Sequence, residues 1–76
     1  MNSDRIEQLL RQHFPQAEIV VSSEDNVHFN AKVIDAGFDG LSRIARHRLI
    51  HDAIGPAMGR EIHALSLNLL TPEQAV

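Results

Sequence analysis

Two stretches of strict alternation, Val27 to Val33 and Ile62 to Leu69, stand on either side of a single helix-length segment, and that arrangement leaves few folds open. In the first, Val27, Phe29, Ala31 and Val33 fall on one side and His28, Asn30 and Lys32 on the other. A period of two with one polar side is the mark of a half-buried strand. Two such strands joined through a helix pair in parallel by a right-handed crossover. A shorter β-branched run, Glu18-Ile19-Val20-Val21-Ser22, precedes the first of them across the polar turn Ser23-Glu24-Asp25-Asn26, which predicts an antiparallel hairpin.

Helical spacing accounts for most of the remainder. Ile6, Leu9, Leu10, His13 and Phe14 recur at the interval that lines one helix face. Ser3 or Asp4 is placed to cap this helix, with Asp4 and Glu7 spaced as in a capping box, and Pro15 stops it. After a loop from Asp35 to Gly40, Ser42 caps a second helix whose expected buried stripe is Ala45, Leu49, Ile50, Ala53 and Ile54. Gly55-Pro56 weakens or kinks that helix, with one further turn through Met58 still open. Thr71-Pro72-Glu73-Gln74 has the cap, the proline and the early acid of a helix start.

The expected fold is therefore of the α/β (α+β) class. It is one domain spanning residues 1–76, in the order α-β-β-α-β, with a three-stranded mixed sheet and both helices on one face. The opposite sheet face is left exposed. No apolar run approaches the roughly 18 residues of a membrane span, and the first residues lack a signal-peptide pattern, so no membrane partner is expected. Cysteine is absent, which excludes disulfides, thiolate nucleophiles and cysteine zinc sites, and favours a cytoplasmic location. No Ser-His-Asp set, paired carboxylates or phosphate-cradling P-loop occurs at recognisable spacing, so the expectation is a protein that is not an enzyme.

Histidine is the one chemically able side chain used freely, at positions 13, 28, 47, 51 and 63. His47 and His51 stand one helical turn apart, but Arg48 occupies the place where a zinc hydrolase needs a glutamate, and the bland reading is a basic helix face. His13, at a helix end, is assigned a structural role. His63 opens the last strand and His28 the second, so a sheet that pairs those strands can bring them to one end or one edge. Gly37-Phe38-Asp39-Gly40 matches the G-x-x-G of phosphate-backbone clamps, yet Asp39 repels phosphate; a turn with Phe38 tucked into the core is preferred. Arg43, Arg46 and Arg48 make a modest basic patch in a chain of net charge −3.

Phe38-Asp39-Gly40-Leu41-Ser42, then Arg46-His47-Arg48-Leu49-Ile50-His51, then Ile62-His63-Ala64-Leu65-Ser66-Leu67 and Thr71-Pro72-Glu73-Gln74, in this order and spacing, resemble the BolA family over nearly the whole chain. The resemblance implies a fold similar to a class II KH domain. It also implies a partner, a monothiol glutaredoxin of the Cys-Gly-Phe-Ser type, with which BolA-like proteins form a heterodimer bridged by a [2Fe-2S] cluster. In that complex the glutaredoxin and its glutathione contribute thiolates, and the BolA side contributes the histidine of its Ile/Val-His-Ala motif, here His63. Family members carry a second histidine or cysteine in the loop between the first two strands. The loop from Ser22 to Asn26 has neither; its shortness resembles the smaller, acid-stress-associated branch more than the longer transcription-regulator branch. His28 matches the family's recurrent His-Phe and is the candidate second ligand, a single ligand being the alternative.

Two function classes follow. In the first, the chain acts in iron–sulfur cluster assembly, trafficking or iron and stress regulation, holds no cluster alone, and is a monomer or weak homodimer by itself. In the second, it is a KH-like DNA-binding transcriptional regulator that sets Arg43, Arg46 and Arg48 of the second helix against phosphates.

Overall fold

The computed structural model describes residues 2–57 and 64–76. Its elements are α1 (Ser3–His13), β1 (Glu18–Ser22), β2 (His28–Ile34), a 3-10 turn at Ala36–Phe38, α2 (Arg43–Ile54), a 3-10 turn at Gly55–Ala57 and β3 (Ala64–Leu70). The strands form one sheet in the order β1-β2-β3, with β1 antiparallel and β3 parallel to the central β2. Both helices pack on the same side, α1 against β1 and α2, α2 also against β3. This is the expected α-β-β-α-β mixed-sheet arrangement.

The alternation in the sequence becomes the two sheet faces. Ile19, Phe29, Ala31, Val33 and Leu69 turn inward, and Val20, His28, Asn30, Lys32, Ser66 and Asn68 lie exposed on the open face. Phe29, Phe38, Ile6, Leu10, Ile50 and Val33 are fully buried between sheet and helices. Burying each such side chain is worth about 1.5–3 kcal/mol, so these six anchor a small core. Phe38 leaves its short turn to meet Phe14 with ring centroids 5.8 Å apart, tilted by 54°. It is a core residue, and Gly40 after it takes a positive φ of 78°, as the turn reading of this loop requires.

Several local expectations are corrected. The cap of α1 is Asn2, not Ser3 or Asp4: its Oδ1 accepts from the Arg5 N–H at 2.9 Å. Glu7 faces Arg11 at 3.6 Å instead of closing a capping box. Strand β2 begins at His28, and Val27 stays in the turn, partly exposed. On α2, Ser42 caps as expected, accepting from Ala45 N–H at 3.1 Å. The buried stripe, however, is Ile50, Ala53 and Ile54, and Leu49 is exposed. One step along a helix turns the side chain by about 100°, and the core has taken the Ile50 side. The helix ends at Gly55, whose N–H still bonds the His51 carbonyl and whose positive φ of 71° turns the chain out of the helix. Met58, Ile62 and His63 lie outside the described residues. β3 extends one residue beyond expectation, to Leu70.

Thr71 and Gln74 form a reciprocal capping pair. Thr71 Oγ1 accepts from the Gln74 N–H at 3.3 Å, and Gln74 Oε1 accepts from the Thr71 N–H at 3.0 Å. A single turn follows. Among the described residues, no helix is long and apolar enough to cross a membrane.

Candidate ligand site at the entry of the second strand

The turn between β1 and β2 is built by two side chains that replace missing backbone partners. Ser23 Oγ donates to the His28 carbonyl at 2.6 Å and accepts from the Asn26 N–H at 2.9 Å. Asp25 Oδ1 accepts from the N–H groups of both Val27 and His28 at 2.9 Å. Asn26 adopts φ 58°, a conformation that asparagine tolerates better than most residues. These bonds pin the backbone at the point where β2 starts.

The second carboxylate oxygen of Asp25 holds the imidazole. His28 Nδ1 lies 2.8 Å from Asp25 Oδ2, and the His28 side chain is 71% exposed. The His28 ring and the N–H groups of His28 and Val27, in that company, push the Asp25 carboxyl well below its ordinary value of 3.8. An ionised carboxylate only accepts, so the proton of the neutral ring belongs on Nδ1. Nε2 then carries the lone pair, on a side chain that is largely exposed. A carboxylate fixing the far nitrogen is the arrangement that orients metal-ligating histidines.

The site opens as a cleft of about 300 Å³ lined by Ser22, Ser23, Glu24, Asp25, His28 and Asn30. In the sheet, His28 stands opposite Ala64, the first residue of β3 and the residue that follows His63 in the chain. His63 itself lies outside the described residues. The register therefore brings the entry of β2 and the entry of β3 to one end of the sheet. Asp25 escaped the sequence reading, although an aspartate three residues ahead of a strand-opening histidine, within a polar turn, is a readable signal.

The other flagged histidines do not join this site. His13 Nδ1 donates to the Leu9 carbonyl at 3.1 Å, one turn back along α1. His47 and His51 both lie on α2, half-buried and exposed respectively. No three His, Asp or Glu side chains converge as metal ligands among the described residues.

The three arginines of α2 part company. Arg43 and Arg48 are exposed. Arg46 turns toward the sheet: Nε donates to the Leu41 carbonyl at 3.1 Å, and one terminal nitrogen donates to the Leu69 carbonyl at 3.0 Å and to Gln74 Oε1 at 2.8 Å. Its guanidinium also lies over the Phe38 ring, 5.8 Å from the centroid. Arg46 is thus a tie between α2, β3 and the terminal turn.

Comparison with known proteins agrees with this architecture. The sequence profile described as "BolA-like protein" matches residues 6–74. The chloroplastic protein BOLA1 of Arabidopsis thaliana is 33% identical over 70 residues, 92% of this chain and 44% of that protein. The chain thus spans less than half the length of that relative. The DNA-binding transcriptional regulator BolA of Haemophilus influenzae is 27% identical over 78 residues, covering 91% of this chain and 76% of the relative. Among solved structures, a BolA homologue from Coxiella burnetii superposes with a TM-score of 0.84 at 32% identity, over 99% of this chain and 96% of that one.

Proposed function

The chain belongs to the BolA family, and from that premise we propose that it is a partner protein, not an enzyme, which docks on a Cys-Gly-Phe-Ser monothiol glutaredoxin and shares a bridging [2Fe-2S] cluster with it. The roles that follow are iron–sulfur cluster assembly or trafficking, or iron and stress regulation, in the cytoplasm. His63 and His28 would be the ligands from this side, with thiolates from the glutaredoxin and its glutathione.

The observation that carries the reading is the His28–Asp25 pair at the strand entry next to Ala64. The donor set fits the group. His28 offers Nε2 on a largely exposed ring with its other nitrogen anchored, and cysteine-free chemistry leaves imidazole as the soft-metal donor available here. When bound, a cluster with imidazole in place of thiolate is less negative, has a raised potential and gains a ligand that protonation detaches. This chain's own part is to hold the His28 ring: Asp25 fixes its tautomer, and Ser23 fixes the turn that carries it.

The test is anaerobic reconstitution of this protein with such a glutaredoxin and glutathione, followed by visible circular dichroism. A heterodimer spectrum distinct from the glutaredoxin homodimer's, abolished by His63→Ala, supports the reading, and His28→Ala decides the second ligand. A spectrum identical to the homodimer's, without comigration, overturns it.

The description of the Haemophilus relative favours a second reading, DNA binding through α2. Arg43 and Arg48 are exposed for it, while Arg46 is engaged within the fold. It requires affinity that falls steeply with salt, with a log–log slope of about −0.9 per phosphate neutralised.

A further inference from the structure

At the end of the sheet opposite the His28 site, strand β3 is an edge strand, and its hydrogen-bonding directions can be read from its neighbours. The Leu70 carbonyl accepts from the Asp35 N–H at 3.0 Å, so it points toward β2. Carbonyls alternate along a strand, so those of Leu69, Leu67 and Leu65 point to the outer edge. Two bonds agree: the Leu69 carbonyl meets Arg46, and the Thr71 N–H, on the same side, meets Gln74 Oε1. The outward N–H groups of Leu65, Leu67 and Leu69, and the outward carbonyls of Leu65 and Leu67, have no backbone partner among the described residues. Unpaired edge groups of this kind are a template for an added strand.

This edge is not an open flank. It forms one wall of a cleft of about 610 Å³ whose other wall is the first turns of α2, with Arg43, Arg46 and His47 facing Leu67, Leu69 and Gln74. No carboxylate lines it among the described residues. Arg46 is held by three neutral oxygens, and neither it nor Arg43 has an ion-pair partner there. The cleft therefore combines a strand-pairing edge with an uncompensated cationic wall.

We propose that the groove between β3 and α2 binds an extended acidic peptide segment of a partner protein by strand addition. Its backbone pairs with the outward groups of Leu67 and with the Leu69 N–H, and its carboxylates lie against the cationic wall of Arg43, Arg46 and His47. Charge disfavours a symmetric pairing of this edge with the same edge of a second copy. A second β3, Ala64 to Leu70, has no acidic residue to offer the arginines. Leu67 and Leu69 stand three and five residues beyond Ala64, about 10 and 17 Å along the strand from its entry.

The experiment is an amide NMR titration of the intact protein with acetyl-(Glu-Val)3-amide and with the matching Gln-Val peptide. Expected are shifts and slowed hydrogen exchange at Leu65, Leu67 and Leu69, about tenfold tighter binding of the glutamate peptide at low salt, and loss of that preference at high salt. Arg43→Gln weakens the glutamate peptide without unfolding the protein, since Arg43 is exposed. Leu67→Pro removes an outward N–H while sparing the ladder to β2, and it abolishes binding. Exchange protection in the wild type serves the same end should that variant fail to fold. Absence of shifts at these amides with millimolar peptide, or equal binding of the two peptides, overturns the proposal. So does concentration-dependent protection of the edge without peptide, which would assign it to a second copy, or response of the cleft to duplex DNA alone.

Discussion

The Arg46 guanidinium and the Leu69 carbonyl oxygen, 23 residues apart in the chain, meet at 3.0 Å. Through this contact the second helix is fastened to the edge strand at the point where the chain leaves the sheet. The same nitrogen reaches Gln74, whose side chain caps the terminal turn, so one residue joins three elements.

Removing that residue should cost more than its partial exposure suggests. Arg46→Ala leaves the Leu41 and Leu69 carbonyls without their donor, and the expected loss is about 2 kcal/mol, read by chemical denaturation. Arg46→Lys should recover little of it, because an ammonium cannot reach the three acceptors in the guanidinium plane. A full rescue by lysine would mean that charge, not geometry, makes the tie.

On α2, adjacent residues should differ sharply. Ile50 is fully buried and Leu49 is 40% exposed. Ile50→Ala should destabilise by about 2–5 kcal/mol through the cavity left behind, and Leu49→Ala by about 1 kcal/mol or less. Equal losses would contradict the helix rotation described above.

Phe38→Ala should be among the most damaging substitutions in the protein. The ring has no exposure and supports both Phe14 and the Arg46 stack. A cost of about 3–5 kcal/mol is expected, enough to unfold much of a domain this small. Thermal unfolding of the variant measures it.

The turn before β2 should resist acid. A carboxyl depressed in the folded state adds stability that is complete above its ordinary value, 3.8 for Asp25, and is lost as pH falls toward the depressed folded value. The Val27 and His28 amides should therefore show no Asp25 transition at pH 3.8 and report one only below it. In Asp25→Asn that acid transition should vanish. Amide NMR followed down in pH gives the answer.

Asp25 also bears on the proposed cluster. If His28 ligates, Asp25→Ala should leave the heterodimer able to form but weaken metal retention by about 10–100-fold, the usual effect of losing a ligand's orienting partner. The rate of cluster loss to a chelator is the readout. An unchanged rate would separate His28 from the metal.

Much of the fold is legible in the sequence because it is written in local spacing. The alternation from His28 to Val33 fixes which side chains face the core, and Ser42 sets the start of α2 through a bond to a residue three positions on. Proline and glycine end the helices by restricting or freeing one backbone angle. The residues that carry the family resemblance are likewise visible in order and spacing. The tertiary structure decided what depends on distant segments meeting. Which residue stands opposite His28 is set by the register of strands joined through a whole helix, and that register chose Ala64. The rotation of α2 that buries Ile50 and exposes Leu49 came from packing against the sheet and α1, since periodicity alone admits both on one broad stripe. Arg46 reads as one of three equivalent cations in the sequence. It became a structural tie because the end of β3 presents a carbonyl with no strand to pair it, a circumstance that exists only once the sheet has formed.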